Sequence, residues 1–456
     1  MKKKALNPTH DFVNMPMVHT HAAAIDVGDT LHSVAIPEGI FSERVKTFGS
    51  MTCDLEAIAA WLSSASITSV ALESTGVYWK PLFSMLNKKG FEVYLVNARQ
   101  TKNISGRKTD EGDAVWIQKL HSCGLLKSSY LPDDEQEALR TLVRYRHTLV
   151  QDCSRFKNRM QKSLELMNIK FHTLFSEISG KTSTSFIEAI INGERNPQNF
   201  LPLVDSHIKA TKEQILKSVE GNWRSEHLFT LSQSYEMSKI FQQKITVCDV
   251  AIESTLQCYG AFINDGEYEA PIENKQIVKP VAKKKKYRGA PTFNVRSYLQ
   301  KIYHVDVLSI YGLSEMSGLE VLAETGADLT KWPTANHFKS WLNLCPNNKM
   351  SGGKLISSKL LKKKPNAASQ AFRIAANTVQ RSNHWLGDYF RRMKGKGGNK
   401  FAVVATANKI ATIFYKMVTE QKEFTPVDLE AYQQKYKNAK IAFYEKKLQQ
   451  LKAVAA

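Results

Sequence analysis

The sequence predicts an α/β domain followed by an all-α region, and three observations carry that expectation. Residues 22–98 alternate short β-branched runs with helical stretches, the apolar spacing turns wholly helical after Pro132, and 456 residues are too many for one ordinary core. A hydrophobic fraction of 43% supports globular packing. The net charge of +20 points to a polyanionic partner, either nucleic acid or an anionic membrane surface. No apolar run in the sequence approaches the length of a transmembrane helix, and MKKKALNPTH starts positively with no apolar stretch behind it, so no membrane partner is expected. Cys53, Cys123, Cys153, Cys248, Cys258 and Cys345 are scattered without a CxxC pair. That is the pattern of reduced thiols in a cytoplasm, not of a zinc ribbon or a disulfide framework.

Each element of the first domain follows from its pattern. AAAIDV is a short apolar run ending at Asp26 and Gly28, LHSVAI is a second strand, and Arg44–Phe48 is a weaker third. Leu55–Leu62 has helical spacing, SVALEST is a β-branched run with Glu73 at its end, Val77–Leu86 is helical, and FEVYLVN is a further strand. Three hairpin-like strands and then βαβ alternation predict a mixed sheet with helices on its faces.

The stretch RKTDEGDAVWIQKL then sets Asp110 and Asp113 three residues apart, on one face at the start of a helix. Two carboxylates held so close repel, and a helix dipole or a divalent cation offsets the repulsion. Read alone, such a pair is more often a solvated, acid-rich first turn. Asp26 and Glu73 change the balance, because both end strands and ligands favour the carboxyl ends of strands. Oxygen-only ligands of this kind suit Mg²⁺, with Mn²⁺ as the alternative, and two such ions would clamp a phosphodiester.

Past Pro132, Leu139, Leu142, Leu149, Phe156, Met160 and Met167 form a heptad stripe, with Arg146, Cys153 and Ser163 at intervening core positions. A continuous stripe predicts a coiled coil. Arg140, Arg144, Arg155, Lys157, Arg159 and Lys162 surround it, so the helix also suits a phosphate backbone. A second helical stretch at about 209–258 is expected to pack back on the first, with short helices and loops over Gly180–Pro202. Residues 260–295 read as a linker with three prolines and the Lys283–Lys286 run, of the kind that binds polyanions without sequence choice. Val307–Gly326 reads as helix, glycine turn, helix.

Residues 329–419 contain one carboxylate, Asp388, against 17 Lys and Arg. This half cannot assemble a metal site of its own, yet it suits phosphate. If metal chemistry acts on a substrate bound here, its ligands come from the first domain and the active site is composite. Within the stretch lies CPNNKMSGGKLISSK, where Ser351 precedes Gly352 and Gly353 between Lys349 and Lys354. Small residues admit a phosphate close to the backbone, and the lysines stabilise developing negative charge. From these residues alone the segment is a polar glycine loop.

IDVGDT, ALESTGVYWKPLF, VYLVNARQ and GRKTDEGDAVWI resemble the amino-terminal domain of the DEDD transposases of the "IS one-ten" insertion-sequence family, relatives of the Piv invertases. CPNNKMSGGKLISSK, AFRIAANTVQRS, FRRMKG and ATANKIATIFYKM resemble the carboxy-terminal domain of the same family. The resemblance implies a RuvC-like, ribonuclease-H-type mixed sheet over 20–132 and a helical transposase domain over 301–420; the patterns above add a helical and coiled-coil region over 133–258, a basic linker over 259–300 and a helical tail over 421–456. It implies that Asp26, Glu73, Asp110 and Asp113 hold Mg²⁺ and that Ser351 is a nucleophile. Candidate nucleic-acid contacts are Arg107, Lys108, Arg155, Arg159, Lys349, Gly352, Gly353 and Lys354. The implied function is excision and integration of an insertion sequence through a phosphoserine intermediate, guided by a structured bridge RNA, in a cytoplasmic dimer or tetramer. The alternatives are a hydrolytic junction resolvase that uses the acids alone, and a non-catalytic nucleic-acid-binding protein.

Overall fold

The computed structural model describes residues 16–73, 76–97, 110–175, 177–261, 289–362 and 366–455, and divides into two compact units, Met1–Leu131 and Pro132–Ala456. The first unit holds β1 (Ala22–Val27), β2 (Leu31–Ala35), β3 (Val45–Gly49), α1 (Thr52–Ser64), β4 (Ser69–Glu73), α2 (Trp79–Lys88), β5 (Glu92–Val96) and α3 (Asp110–Ser122). Its five strands lie in the order β3-β2-β1-β4-β5. β1 runs antiparallel to β2 and parallel to β4, while β3 and β5 continue those two senses outward. The central strand is apolar along nearly its whole length because both its faces are covered. Ala23, Ile25 and Val27 face α1 and α2, meeting Leu55, Ile58, Leu62, Leu82 and Leu86 together with Val70 and Leu72. Ala24 and Ala71 face the other way under Ile117 and Leu120 of α3. Their small side chains let that helix approach closely. Gly28 turns the chain from β1 into β2: a Cβ there would stand 2.5 Å from the Leu31 carbonyl oxygen.

The second unit is built on two long antiparallel helices, α4 (Asp134–Leu166) and, after the short α5 (Lys181–Ile191) and α6 (Lys212–Ser218), α7 (Ser225–Ala261). Asp133 caps α4 by accepting from the Gln136 amide, which satisfies an otherwise orphaned donor. The antiparallel sense shows in the pairing: Ser163 meets Thr230, Cys153 meets Ser238, and Cys248 donates to the Leu142 carbonyl. Leu139, Leu149, Cys153 and Met160 of the heptad stripe are buried, and the pairings with α7 cover it from within the same chain. Two of the surrounding arginines are also used internally. Arg144 donates to both carboxylate oxygens of Glu324 at 2.7 and 2.9 Å, and Arg140 donates to the Glu324 carbonyl at 3.0 Å. Helix capping and period are local, whereas these partners lie about 180 residues away in sequence, beyond the reach of a pattern.

The remaining helices are α8 (Val295–Tyr303), α9 (Glu315–Thr325), α10 (Ala335–Trp341), α11 (Ala367–Thr378), α12 (Trp385–Glu420) and α13 (Leu429–Ala455), with a hairpin of β6 (Asn347–Ser351) and β7 (Lys354–Lys359) between α10 and α11. Leu139, Val143, Ile252 and Leu256 of the long pair share one core with α8–α12. A second core, around Phe171, Phe175, Phe186 and Phe200, closes the far end of the pair, where the sequence suggested only polar short helices and loops. Four aromatics spread over thirty residues leave no period to read.

Three other expectations change. The helix expected from Val307 is a single 3-10 turn, Val307–Ser309. The following Gly312, at φ +92°, lies against α11, where a Cβ would meet the Ala375 carbonyl oxygen at 2.5 Å. That glycine serves close packing. Residues 295–300, read as the end of a linker, belong to the helix Val295–Tyr303, whose Val295, Leu299 and Ile302 are buried, and the Lys283–Lys286 run lies outside the described residues. Finally, α12 is long and apolar enough to cross a membrane by length and composition. It is broken at Gly397 and Gly398, and its second half buries Ala407, Ile410, Ala411 and Phe414 in the core, which accounts for its apolar character.

Candidate active site residues

In the first unit the sheet and α3 bring acids to one face. Ile25 pairs with Leu72 across the parallel β1–β4 ladder, so Asp26 and Glu73 follow side by side at the carboxyl ends of the two strands. Alternation sets both on the Ala24 and Ala71 face, which α3 covers. α3 runs antiparallel to β1: the Ser122 carbonyl accepts from Val18 and the Gln118 amide donates to the Ala22 carbonyl. His121 Nε2 lies 2.8 Å from Ser69 Oγ at the start of β4. From there Glu73 is four strand residues on, about 13 Å, and Asp113 is eight helical residues back, about 12 Å. Asp113 precedes Ile117 and Leu120 on the buried stripe of α3, so it too belongs to this end of this face. Asp26, Glu73 and Asp113 are each half-buried.

Asp110 opens α3, but its side chain, like Arg107 and Lys108, lies outside the described residues. Among the described residues no three His, Cys, Asp or Glu side chains stand close enough to hold one ion. The donor chemistry nevertheless fits a hard cation: the acids supply oxygen alone, and His121, the nearest imidazole on α3, faces the opposite end of the helix. His121 is buried against Ser69, stacks on His19 at 4.9 Å, and has its pKa pushed down to about 4, first by burial and then by repulsion from His19. Sequence reasoning missed this cluster, which has no motif: its members come from residues 19, 69, 94 and 121.

In the second unit Ser351 ends β6. The stretch that read as a glycine loop is an antiparallel hairpin whose two-residue turn is Gly352–Gly353, at φ +54° and +76°. Such a turn needs positive φ at both positions, which glycine adopts without a Cβ penalty. Ser351 pairs with Lys354, Met350 with Leu355, Lys349 with Ser357 and Asn347 with Lys359. Partners share a face, and neighbours along a strand alternate. One face therefore carries Ser351 with Lys349, Lys354 and Lys359, and the other carries Met350 and Leu355. Ile356, without a partner, is the extra residue of a bulge. Lys359 was not singled out from the sequence: two short runs flanking Gly-Gly signal a hairpin, but the face that Lys359 takes follows from the bulge. No Asp or Glu occurs between Asp328 and Asp388.

The other candidate contacts sit on α4. Arg155 is exposed and bonds Asp152 at 2.6 Å, while the Arg159 guanidinium lies over the Phe156 ring at 4.8 Å.

Two family models match the chain. A DEDD transposase model of the IS110 family covers residues 23–169, and the model described as Transposase IS116/IS110/IS902 family covers residues 306–391. Together they take in just over half of the sequence. The first spans the mixed five-stranded sheet, whose strand order is compatible with a RuvC-like, ribonuclease-H-type fold, and the second spans the serine hairpin. No curated protein matches the chain. Two matches to one family, in order along the chain and each over the segment that carries its acids or its serine, identify the protein as a member of the IS110 family of DEDD transposases.

Proposed function

We propose that this transposase excises and integrates an insertion sequence by cutting DNA with Ser351. The serine Oγ attacks a backbone phosphorus, the bond to the 3′ oxygen breaks, and the products are a phosphoserine ester and a free 3′-hydroxyl. Attack by another 3′-hydroxyl on that ester rejoins the strand and releases the serine. No water enters, so the phosphodiester energy is kept for rejoining. Lys349 and Lys354 balance the charge of the phosphate under attack, and Lys359, farther along the same face, meets the backbone beyond it. The observation that carries this reading is the hairpin register, which gives Ser351 three lysines on its own face within an acid-free stretch of sequence.

Asp26, Glu73, Asp110 and Asp113 are the residues that would hold Mg²⁺, with Mn²⁺ as the alternative. Bound there, the ion supplies Lewis-acid stabilisation of phosphoryl oxygens. A structured bridge RNA is the proposed guide for choosing DNA, and a net charge of +20 suits a second polyanion. A dimer or tetramer is the proposed working form. Because the α4 stripe is used within the chain, a coiled-coil contact would fall on α7, where Ile240, Val247 and Val250 follow heptad spacing and are exposed.

The test is to trap the covalent product. Incubated with DNA from the element's ends, its RNA and Mg²⁺, the protein is expected to give a denaturant-resistant protein–DNA adduct that Ser351→Ala abolishes and Asp113→Asn strongly reduces. Cut DNA ending in hydrolysed phosphate, with no adduct, would replace this reading by the junction resolvase.

A further inference from the structure

The hairpin's second face, with Met350 and Leu355, and the bulge residue Ile356 beside Leu355 have no place in the chemistry above. Met350, Leu355 and Ile356 are 59, 56 and 68% exposed, and none of them joins the core of the second unit. Among the described residues nothing stands within 4 Å of a Cβ built on Gly352 or Gly353. An exposed two-stranded ribbon with large apolar side chains is an aggregation hazard that proteins ordinarily blunt with charge. Here the charges lie on the opposite face, and all are positive: Lys349, Lys354 and Lys359. The ribbon is thus two-sided, with an apolar side back to back with a phosphate-binding side only one strand-pair away.

Double-stranded DNA offers that combination at one spot. Its backbone phosphates lie beside the apolar faces of stacked bases, and a groove admits a two-stranded β-ribbon. Proteins that distort DNA insert Phe, Leu, Ile or Met between base steps and unstack them. An anionic lipid surface also accepts an element that is basic on one side and apolar on the other, but the transposase family and the serine set among the lysines favour DNA. We propose that Met350, Leu355 and Ile356 form a wedge that enters the base stack of DNA next to the phosphate held by the lysine face. The wedge rests on the reading of Ser351 as the group that takes that phosphate. It adds that the base step at the cut is opened by protein side chains, so the hairpin both grips the strand and exposes the bond.

The experiment uses the full-length protein with its RNA, Mg²⁺ and a short duplex from the element's ends carrying 2-aminopurine at several positions, since this base brightens when unstacked. Saturating wild-type protein at low salt should raise the fluorescence at least about twofold. Leu355→Thr/Ile356→Thr keeps β-propensity and every lysine. It should bind the same duplex with the same salt dependence, because that dependence counts phosphate contacts, yet leave the fluorescence at the level of free DNA. Ser351→Ala should keep the full rise while losing the covalent adduct. A wild-type adduct without a rise, or an equal rise in the double variant, overturns the wedge and leaves the serine reading intact. A rise without any adduct from the wild-type protein does the reverse. Equal DNA signals combined with loss of binding to phosphatidylserine vesicles in the double variant would assign the apolar face to a membrane instead.

Discussion

Arg146 occupies a core position of the α4 stripe, yet it is a charge, and its partner decides whether the long helix pair holds together. Arg146 and Asp249 are 2% and 1% exposed, and the guanidinium donates to both oxygens of the carboxylate. Arg146 also donates to the Gly289 carbonyl at 3.1 Å, and Asp249 accepts from the Thr292 amide at 3.1 Å. The pair therefore ties α4 and α7 to the chain that leads into α8. Asp249→Ala leaves a buried guanidinium with a carbonyl and a thioether as its neutral partners. Breaking a buried pair from one side costs about 3–5 kcal/mol, and burial this deep removes the solvent discount that applies to surface pairs. Urea unfolding followed by tryptophan fluorescence should report a loss of that size, little changed by added salt because the pair is not screened. Arg146→Met/Asp249→Leu removes both charges and should recover most of the loss. An Asp249→Ala protein within about 1 kcal/mol of wild type, or a double variant no better than the single, would refute the argument.

Other outcomes follow from the same geometry. His121 titrates normally near 6.5 when unfolded but at about 4 when folded, so the unfolded chain binds more protons between those values. Stability of the first unit should be full above pH 6.5 and fall by up to about 3 kcal/mol as the pH drops toward 4, a slope that His121→Asn flattens in pH-dependent melting. Gly312→Ala drives a Cβ into the Ala375 carbonyl at positive φ and should destabilise the second unit by about 2–3 kcal/mol, read as a lower melting temperature. Gly353→Ala, equally left-handed but in open space, should cost only about 1 kcal/mol and leave the global melt unchanged. Lys359→Gln should reduce the slope of log affinity against log salt for duplex DNA by about 0.9, the loss of one phosphate contact; an unchanged slope would take Lys359 off the DNA.

Much of the first unit was legible because its signals are local. β1 reads as a strand from six residues, Glu73 ends a β-branched run, and Asp113 stands one helical turn ahead of Ile117. The acids could be nominated for the same reason: strand ends and helix starts are marked in the sequence beside them. Ser351 was visible as a residue, but its surroundings were not. Whether Lys359 lies on the face of Ser351 or on that of Met350 depends on a bulge that shifts the register by one residue, and the side chains alone do not announce that shift.

By itself the sequence determined the alternation of strands and helices, the basic charge and the family's two motif blocks, all carried by periods and neighbours within a few residues. Only the tertiary structure decided that the heptad stripe is covered by α7 of the same chain, that Arg140 and Arg144 serve Glu324, and that four phenylalanines make a second core. The physical reason is range. A helix period is set by backbone hydrogen bonds four residues apart, but the partner of a buried charge such as Arg146 is whichever group packing brings to it, here 103 residues along the chain.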